Sequence, residues 1–97
     1  MHYAAAKAAV HCLTIGWAKE LGPEVRVNNV APGVIDTPFH RKFSEPGFAT
    51  DRTKIIALAR PGVADDITGA ILFLASDAAG YITGETISPN GGMVWRL

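Results

Sequence analysis

The chain has 97 residues, 48% of them apolar and 19% charged, which suits one small globular domain. Nine basic residues balance nine acidic ones, so the charge offers nothing to a polyanionic partner or an anionic membrane surface. The single cysteine, Cys12, excludes an internal disulfide and fits a reducing, cytoplasmic setting. Neither a signal peptide nor an apolar run long enough to span a bilayer is legible; the longest, Ala70 to Ala75, is far too short.

Residues 3–21 read as one helix. Val10, Leu13, Thr14, Trp17 and Leu21 follow the spacing of a buried face. Ala5, Ala9, Cys12 and Gly16 form a second stripe of small residues, which permits close approach of another element and reads Cys12 as core. At its start, Tyr3 and Lys7 are four apart and lie one above the other on one face. There the Lys7 ammonium favours the phenolate of Tyr3, and a tyrosine tuned this way serves as general acid or base. The bland alternative is an exposed aromatic beside a solvated lysine. Gly22 and Pro23 end the helix.

Val25 to Val30 reads as a short strand stopped by Pro32-Gly33. Thr37-Pro38 has the form of an N-cap followed by proline at the first helical position. Phe39 to Arg60 is the least regular stretch. Ala64 to Ser76 reads as a helix with Asp65 and Asp66 in its first turn, where the helix dipole favours acids, and with Ile67, Ala70, Ile71 and Leu74 on one face. Glu85 to Ser88 reads as a second strand, ended by Pro89 and followed by Gly91-Gly92. Strand, helices, strand is a βαβ crossover and calls for a parallel sheet, which needs cover on both faces and usually more than two strands.

The ordered segments Tyr3-Ala-Ala-Ala-Lys7, Arg26-Val-Asn-Asn-Val-Ala-Pro-Gly33, Val34-Ile-Asp-Thr-Pro38, Phe73-Leu-Ala-Ser-Asp77, Tyr81-Ile-Thr-Gly-Glu85 and Asn90-Gly-Gly92 resemble the C-terminal half of the classical short-chain dehydrogenase/reductase family. The resemblance runs from Tyr3 to about Met93. It looks most like members labelled 3-oxoacyl-carrier-protein reductase or sugar-alcohol dehydrogenase. It implies an α/β fold: the C-terminal part of a Rossmann-type doubly wound parallel sheet, with about two strands and three to four helices. Residues 1–97 would then be a partial NAD(P)-binding domain. The family's Gly-rich phosphate-binding turn is not built by any of the ten glycines, and its Asn-Asn-Ala-Gly-like segment and upstream catalytic serine are not in these residues. The expectation is half of an enzyme, inactive as an isolated 97-residue chain.

By the same resemblance, Tyr3 is the acid/base of an alcohol–ketone interconversion and also counts among the cofactor-binding residues. Lys7 supports it and bonds the ribose of NAD or NADP. Pro32 and Gly33 bring backbone close to the nicotinamide, the main chain of Ile35 bonds its carboxamide, and the Thr37 hydroxyl reaches the carboxamide or a phosphate. The alternative for this segment is a strand-ending turn whose threonine caps the next helix, and both can hold together. Asn28 reads as bonding backbone. Phe39, His40, Phe43 and Phe48 fall where the family keeps its substrate loop, and read either as pocket lining or as packing. His2 and His11 lack metal-site spacing. Val63 stands where a capping threonine is common, Pro89 where a β-branched residue is usual, and Asn90 where aspartate is common.

The expected partners are a small-molecule alcohol or ketone and either the N-terminal half or a second copy in a homo-oligomer, dimer or tetramer. Nucleic acid and membrane are not expected. A competing reading is an assembly module without activity. Lacking the rest of the sheet, Val25, Val27 and the apolar face of the first helix would meet water.

Overall fold

A computed structural model describes residues 1–38 and 53–93. In chain order these form α1 (His2–Leu21), β1 (Asn29–Val30), α2 (Ala64–Ala75) and β2 (Thr86–Ile87), with single 3-10 turns at Thr53–Ile55 and Asp77–Ala79. β1 and β2 pair in parallel, Asn29 opposite Thr86 and Val30 opposite Ile87, as a βαβ crossover requires. The segment expected to become helical after Pro38, and the residues Phe39, His40, Phe43 and Phe48, lie outside the described residues.

The first strand is shorter than Val25 to Val30, and the side chain of Asn28 is the reason. The Asn29 N–H donates to Glu85 O at 2.8 Å, Ala31 to Ile87 O at 2.8 Å and Gly33 to Pro89 O at 3.1 Å, so the ladder is in step from Asn29 onward. One residue pair earlier it slips. The Glu85 N–H donates to Asn28 Oδ1 at 3.1 Å, and Gly84 supplies the N–H to Val27 O at 2.7 Å. Asn28 Nδ2 donates in turn to Ile82 O at 2.9 Å, so this side chain bonds only backbone, as expected.

α1 ends at Leu21 before Gly22 and Pro23, with Gly22 extended at φ −70° instead of left-handed. Its buried contacts are narrower than the predicted stripe. Only Thr14 and Ala18 are buried; Thr14 Oγ1 donates to Val10 O at 2.8 Å, which satisfies its hydroxyl. Val10, Leu13, Trp17 and Leu21 are all exposed by 42% or more, and Cys12 is exposed too, correcting its reading as core. An apolar stripe is buried only where a second surface faces it, and two short strands offer too little. Val25 is exposed and Val27 half-buried, in line with the expected contact with water.

In α2, Leu74 is buried and Ile67 and Ala70 are half-buried, but Ile71, expected on that face, is exposed. Valine has no acceptor, so Val63 leaves α2 without a side-chain N-cap. Asp66 covers the loss by accepting the Val63 N–H on Oδ2 at 2.8 Å. At the other end, Arg26 donates from Nη1 to Leu74 O at 2.8 Å and from Nη2 to Ser76 O at 3.2 Å. A guanidinium thus binds the open carbonyls where the helix dipole is negative.

Candidate functional site

α1 runs antiparallel to the two strands. Ala18 packs over Gly84, just before β2, and His11 Nδ1 lies 3.1 Å from Thr86 Oγ1, within it. Moving toward the start of α1 therefore means moving toward the carboxyl ends of the strands. At about 1.5 Å per helical residue, Lys7 lies about 6 Å and Tyr3 about 12 Å beyond His11 along the axis. Strands rise about 3.3 Å per residue, so Tyr3 comes level with the backbone about four residues past Asn29, at Gly33. Both halves of the predicted site thus fall at the carboxyl edge of a parallel sheet, where open α/β sheets bind ligands.

Within the pair, Lys7 Nζ stands 5.5 Å from the centre of the Tyr3 ring, the stacking that four-residue spacing predicts. Tyr3 is 70% exposed, so its phenol is open to a ligand. Among the described residues no hydrogen bond joins Tyr3 or Lys7 to the 32–37 segment.

That segment is shaped by two close backbone approaches. Gly33 is bonded to Pro89 O, and a Cβ on it would stand 2.7 Å from Asn90 Cα, so only glycine fits. Two residues on, Ile35 makes an isolated parallel bridge to Gly62. The Gly62 N–H donates to Val34 O at 2.9 Å and the Asp36 N–H to Gly62 O at 2.8 Å. Both bonds use the residues flanking Ile35, so its own N–H and C=O face the opposite edge. Neither is bonded among the described residues. A donor and an acceptor side by side complement the C=O and NH2 of a carboxamide, so the site has the chemistry to hold one. Pro32 is exposed and Thr37 half-buried at the ends of this segment. Ile35 also lines a cavity of about 220 Å³, together with Val34, Ile56, Leu58, Pro89, Arg60 and Asp66.

The Arg60–Asp66 pair is the most strongly perturbed electrostatic feature among the described residues. Arg60 Nη1 and Nη2 donate to Asp66 Oδ2 and Oδ1 at 2.7 and 3.0 Å. The guanidinium, followed by the Val63 N–H, holds the Asp66 carboxyl down to about 2.

Sequence reasoning missed this pair, the Arg26 cap and the role of His11. Spacing speaks only against His11 as a metal ligand; in the fold it ties α1 to β2 through Thr86, whose hydroxyl is also 3.4 Å from Asn29 Nδ2. The available signal was its place four residues after Lys7, on the same helical row as Tyr3. For Asp66 the sequence indicates only an acid in the first turn of a helix. Nothing local to Arg26 signals its partners, which lie 48 and 50 positions away.

A family profile described as enoyl-(acyl carrier protein) reductase matches residues 1–94. The 3-oxoacyl-[acyl-carrier-protein] reductase of Thermotoga maritima is 47% identical over 94 residues, covering 96% of this chain and 38% of its own length. Among solved structures, a short-chain dehydrogenase/reductase, glucose/ribitol dehydrogenase, from Brucella melitensis superposes with a TM-score of 0.89 at 38% identity, over 98% of this chain and 38% of that one. A gluconate 5-dehydrogenase from Burkholderia cenocepacia, in complex with NADP and tartrate, gives a TM-score of 0.85 at 33% identity, over 94% of this chain and 36% of that one. The chain therefore spans well under half the length of these relatives. With the parallel pair of strands, these likenesses establish an α/β, Rossmann-type fold: the chain belongs to the short-chain dehydrogenase/reductase family of oxidoreductases.

Proposed function

We propose that residues 1–97 are the C-terminal half of a nicotinamide-dependent oxidoreductase that interconverts an alcohol and a ketone, of the 3-oxoacyl reductase or sugar-alcohol dehydrogenase type. The observation that supports this reading is the shared edge: Lys7 stacks on Tyr3 at the start of α1, toward the carboxyl ends of the strands, and Ile35, two residues beyond Gly33, presents there an N–H and C=O that are unbonded among the described residues. NAD or NADP, when bound, supplies or takes the hydride. Tyr3 gives its phenolic proton to the substrate oxygen in reduction and removes it in oxidation. The Lys7 ammonium stabilises negative charge on that phenol oxygen and donates to ribose hydroxyls. Ile35 binds the carboxamide through its main chain, Thr37 adds a hydroxyl, and Pro32-Gly33 keep the backbone low enough for the ring to approach.

The 97-residue chain by itself is expected not to reduce carbonyl compounds, because none of its glycines builds a phosphate-binding turn. In the protein as the cell makes it, Tyr3→Phe should lower kcat for carbonyl reduction by about 10²–10⁴-fold, the range of general acid catalysis. Its Kd for NADH or NADPH should change less than about threefold, because binding is retained when only the proton donor is lost. Full activity of Tyr3→Phe would sink the assignment.

The second reading, an assembly module without activity, draws on a different observation. Val10, Leu13 and Trp17 on α1, and Ile71 and Leu72 on α2, are exposed. A defined oligomer by sizing, with neither dinucleotide bound, would favour it.

A further inference from the structure

We infer that the Arg60–Asp66 pair positions the cofactor clamp, by locking the 60–63 turn whose Gly62 holds the main chain of Ile35. This rests on the proposed role of Ile35 toward a nicotinamide carboxamide.

The bridge at Ile35 is isolated. It has two hydrogen bonds and no ladder on either side, so beyond the Gly33–Pro89 anchor the placement of Ile35 depends on whatever fixes Gly62. Gly62 sits inside a turn tied at both ends to one carboxylate. Arg60 grips Asp66 with both guanidinium nitrogens, and the same Asp66 Oδ2 accepts the Val63 N–H. Arg60 Nη1 also donates to Pro61 O at 3.2 Å, which binds the side chain to its own turn. On the other flank, the Leu58 N–H donates to Gly91 O at 3.0 Å. Between these anchors Ala59 is held at φ +56°, a left-handed conformation that a non-glycine residue keeps only when its surroundings over-determine it.

The lock also meets Ile35 through its side chain. A Cβ on Gly62 would stand 2.6 Å from Ile35 Cδ1, so the two residues are already in contact and a shift of the turn is passed on directly. An exposed ion pair of this kind contributes little to global stability. Its bidentate geometry contributes orientation instead, and the group it orients is the one whose outward donor and acceptor are unbonded among the described residues. Arg60 and Asp66 are thus positioning residues that need not touch the cofactor.

The test uses the intact protein and the variants Asp66→Ala, Asp66→Asn and Arg60→Lys, with two readouts. The first is amide hydrogen exchange at Gly62 and Asp36, the two bridge donors, with the interior amides of α2 as the control for folding. The second is Kd for NADH or NADPH beside Kd for ADP-ribose, which lacks the nicotinamide. Asp66→Ala should speed exchange at Gly62 and Asp36 and weaken the dinucleotide about tenfold, the equivalent of one lost hydrogen bond, leaving ADP-ribose within about twofold. Asp66→Asn keeps an oxygen for the Val63 N–H and Arg60→Lys keeps the charge, so both should fall between Asp66→Ala and wild type. These two milder variants carry the test should Asp66→Ala fail the folding control. Unchanged exchange at Gly62 and Asp36 overturns the lock. Faster exchange with both ligands weakened equally, or neither weakened, overturns the positioning role alone. A wild-type protein that binds ADP-ribose as tightly as the dinucleotide, or binds neither, removes the clamp reading of Ile35 and this inference with it.

Discussion

Replacing Arg26 by alanine removes the cap on the C-terminus of α2 and the tie between that helix and the residues leading into β1. The Nη1 bond to Leu74 O is short at 2.8 Å, the Nη2 bond to Ser76 O is 3.2 Å, and the reach to Ile82 O at 3.4 Å is too long to add much. Hydrogen bonds from a charged donor contribute about 1.5–3 kcal/mol each when well made, but Arg26 is only half-buried and water replaces part of what is lost. Counting about 1 kcal/mol for each of the two good bonds and about 0.5 for the helix dipole gives a loss of about 2–3 kcal/mol. In urea unfolding followed by circular dichroism, with a slope of about 1 kcal/mol per molar, the midpoint should fall by about 2–3 M. Arg26→Lys keeps the charge without the planar fork and should recover less than about half of that loss. If Arg26→Ala unfolds within about 0.3 M of the wild type, the capping argument is wrong. If Arg26→Lys matches the wild type, the charge matters and the fork does not.

Two further outcomes follow from the Gly62 turn. Because Arg60 and the Val63 N–H hold the Asp66 carboxyl down to about 2, the group is charged in the folded chain at pH values where it begins to protonate in the unfolded one. A depressed folded value means the pair's contribution is full above the ordinary carboxylate value near 4 and is lost as pH falls through about 2. The side-chain carboxyl resonance of Asp66, followed against pH, should show its midpoint near 2 and move upward in Arg60→Gln; a wild-type midpoint near 4 would mean the pair does not form in solution. Gly62→Ala should cost about 1 kcal/mol, at the low end for overpacking, because its Cβ collides only with the flexible end of Ile35, while Asp66 Oδ2 and Val34 O stand at an ordinary 3.6 Å. Ile35→Val deletes the Cδ1 atom and should recover most of that cost; if the two penalties in the double variant simply add, the collision is not the cause.

The local elements of this protein are legible in its sequence because their signals act over a few residues. A 20-residue helix with Gly22-Pro23 behind it, two acids at the start of α2 and a proline closing each strand are each decided within a turn or two of chain. Four-residue spacing likewise stacks Tyr3 and Lys7 whatever surrounds them. Sequence alone also carries the parallel pairing, since a helix between two strands leaves little choice. What only the tertiary structure decided depends on residues far apart in the chain meeting. Asn28 shortens β1 because its amide intercepts Glu85, 57 positions away. Arg26 finds carbonyls 48 and 50 positions on. Whether Val10, Leu13 and Trp17 are buried depends on a facing surface, and periodicity cannot report whether one is there. The outward edge of Ile35 is decided in the same way: its N–H and C=O, unbonded among the described residues, face outward because Gly62 takes the bonds of its neighbours, a matter of which backbones come within hydrogen-bond reach and not of what Ile35 is.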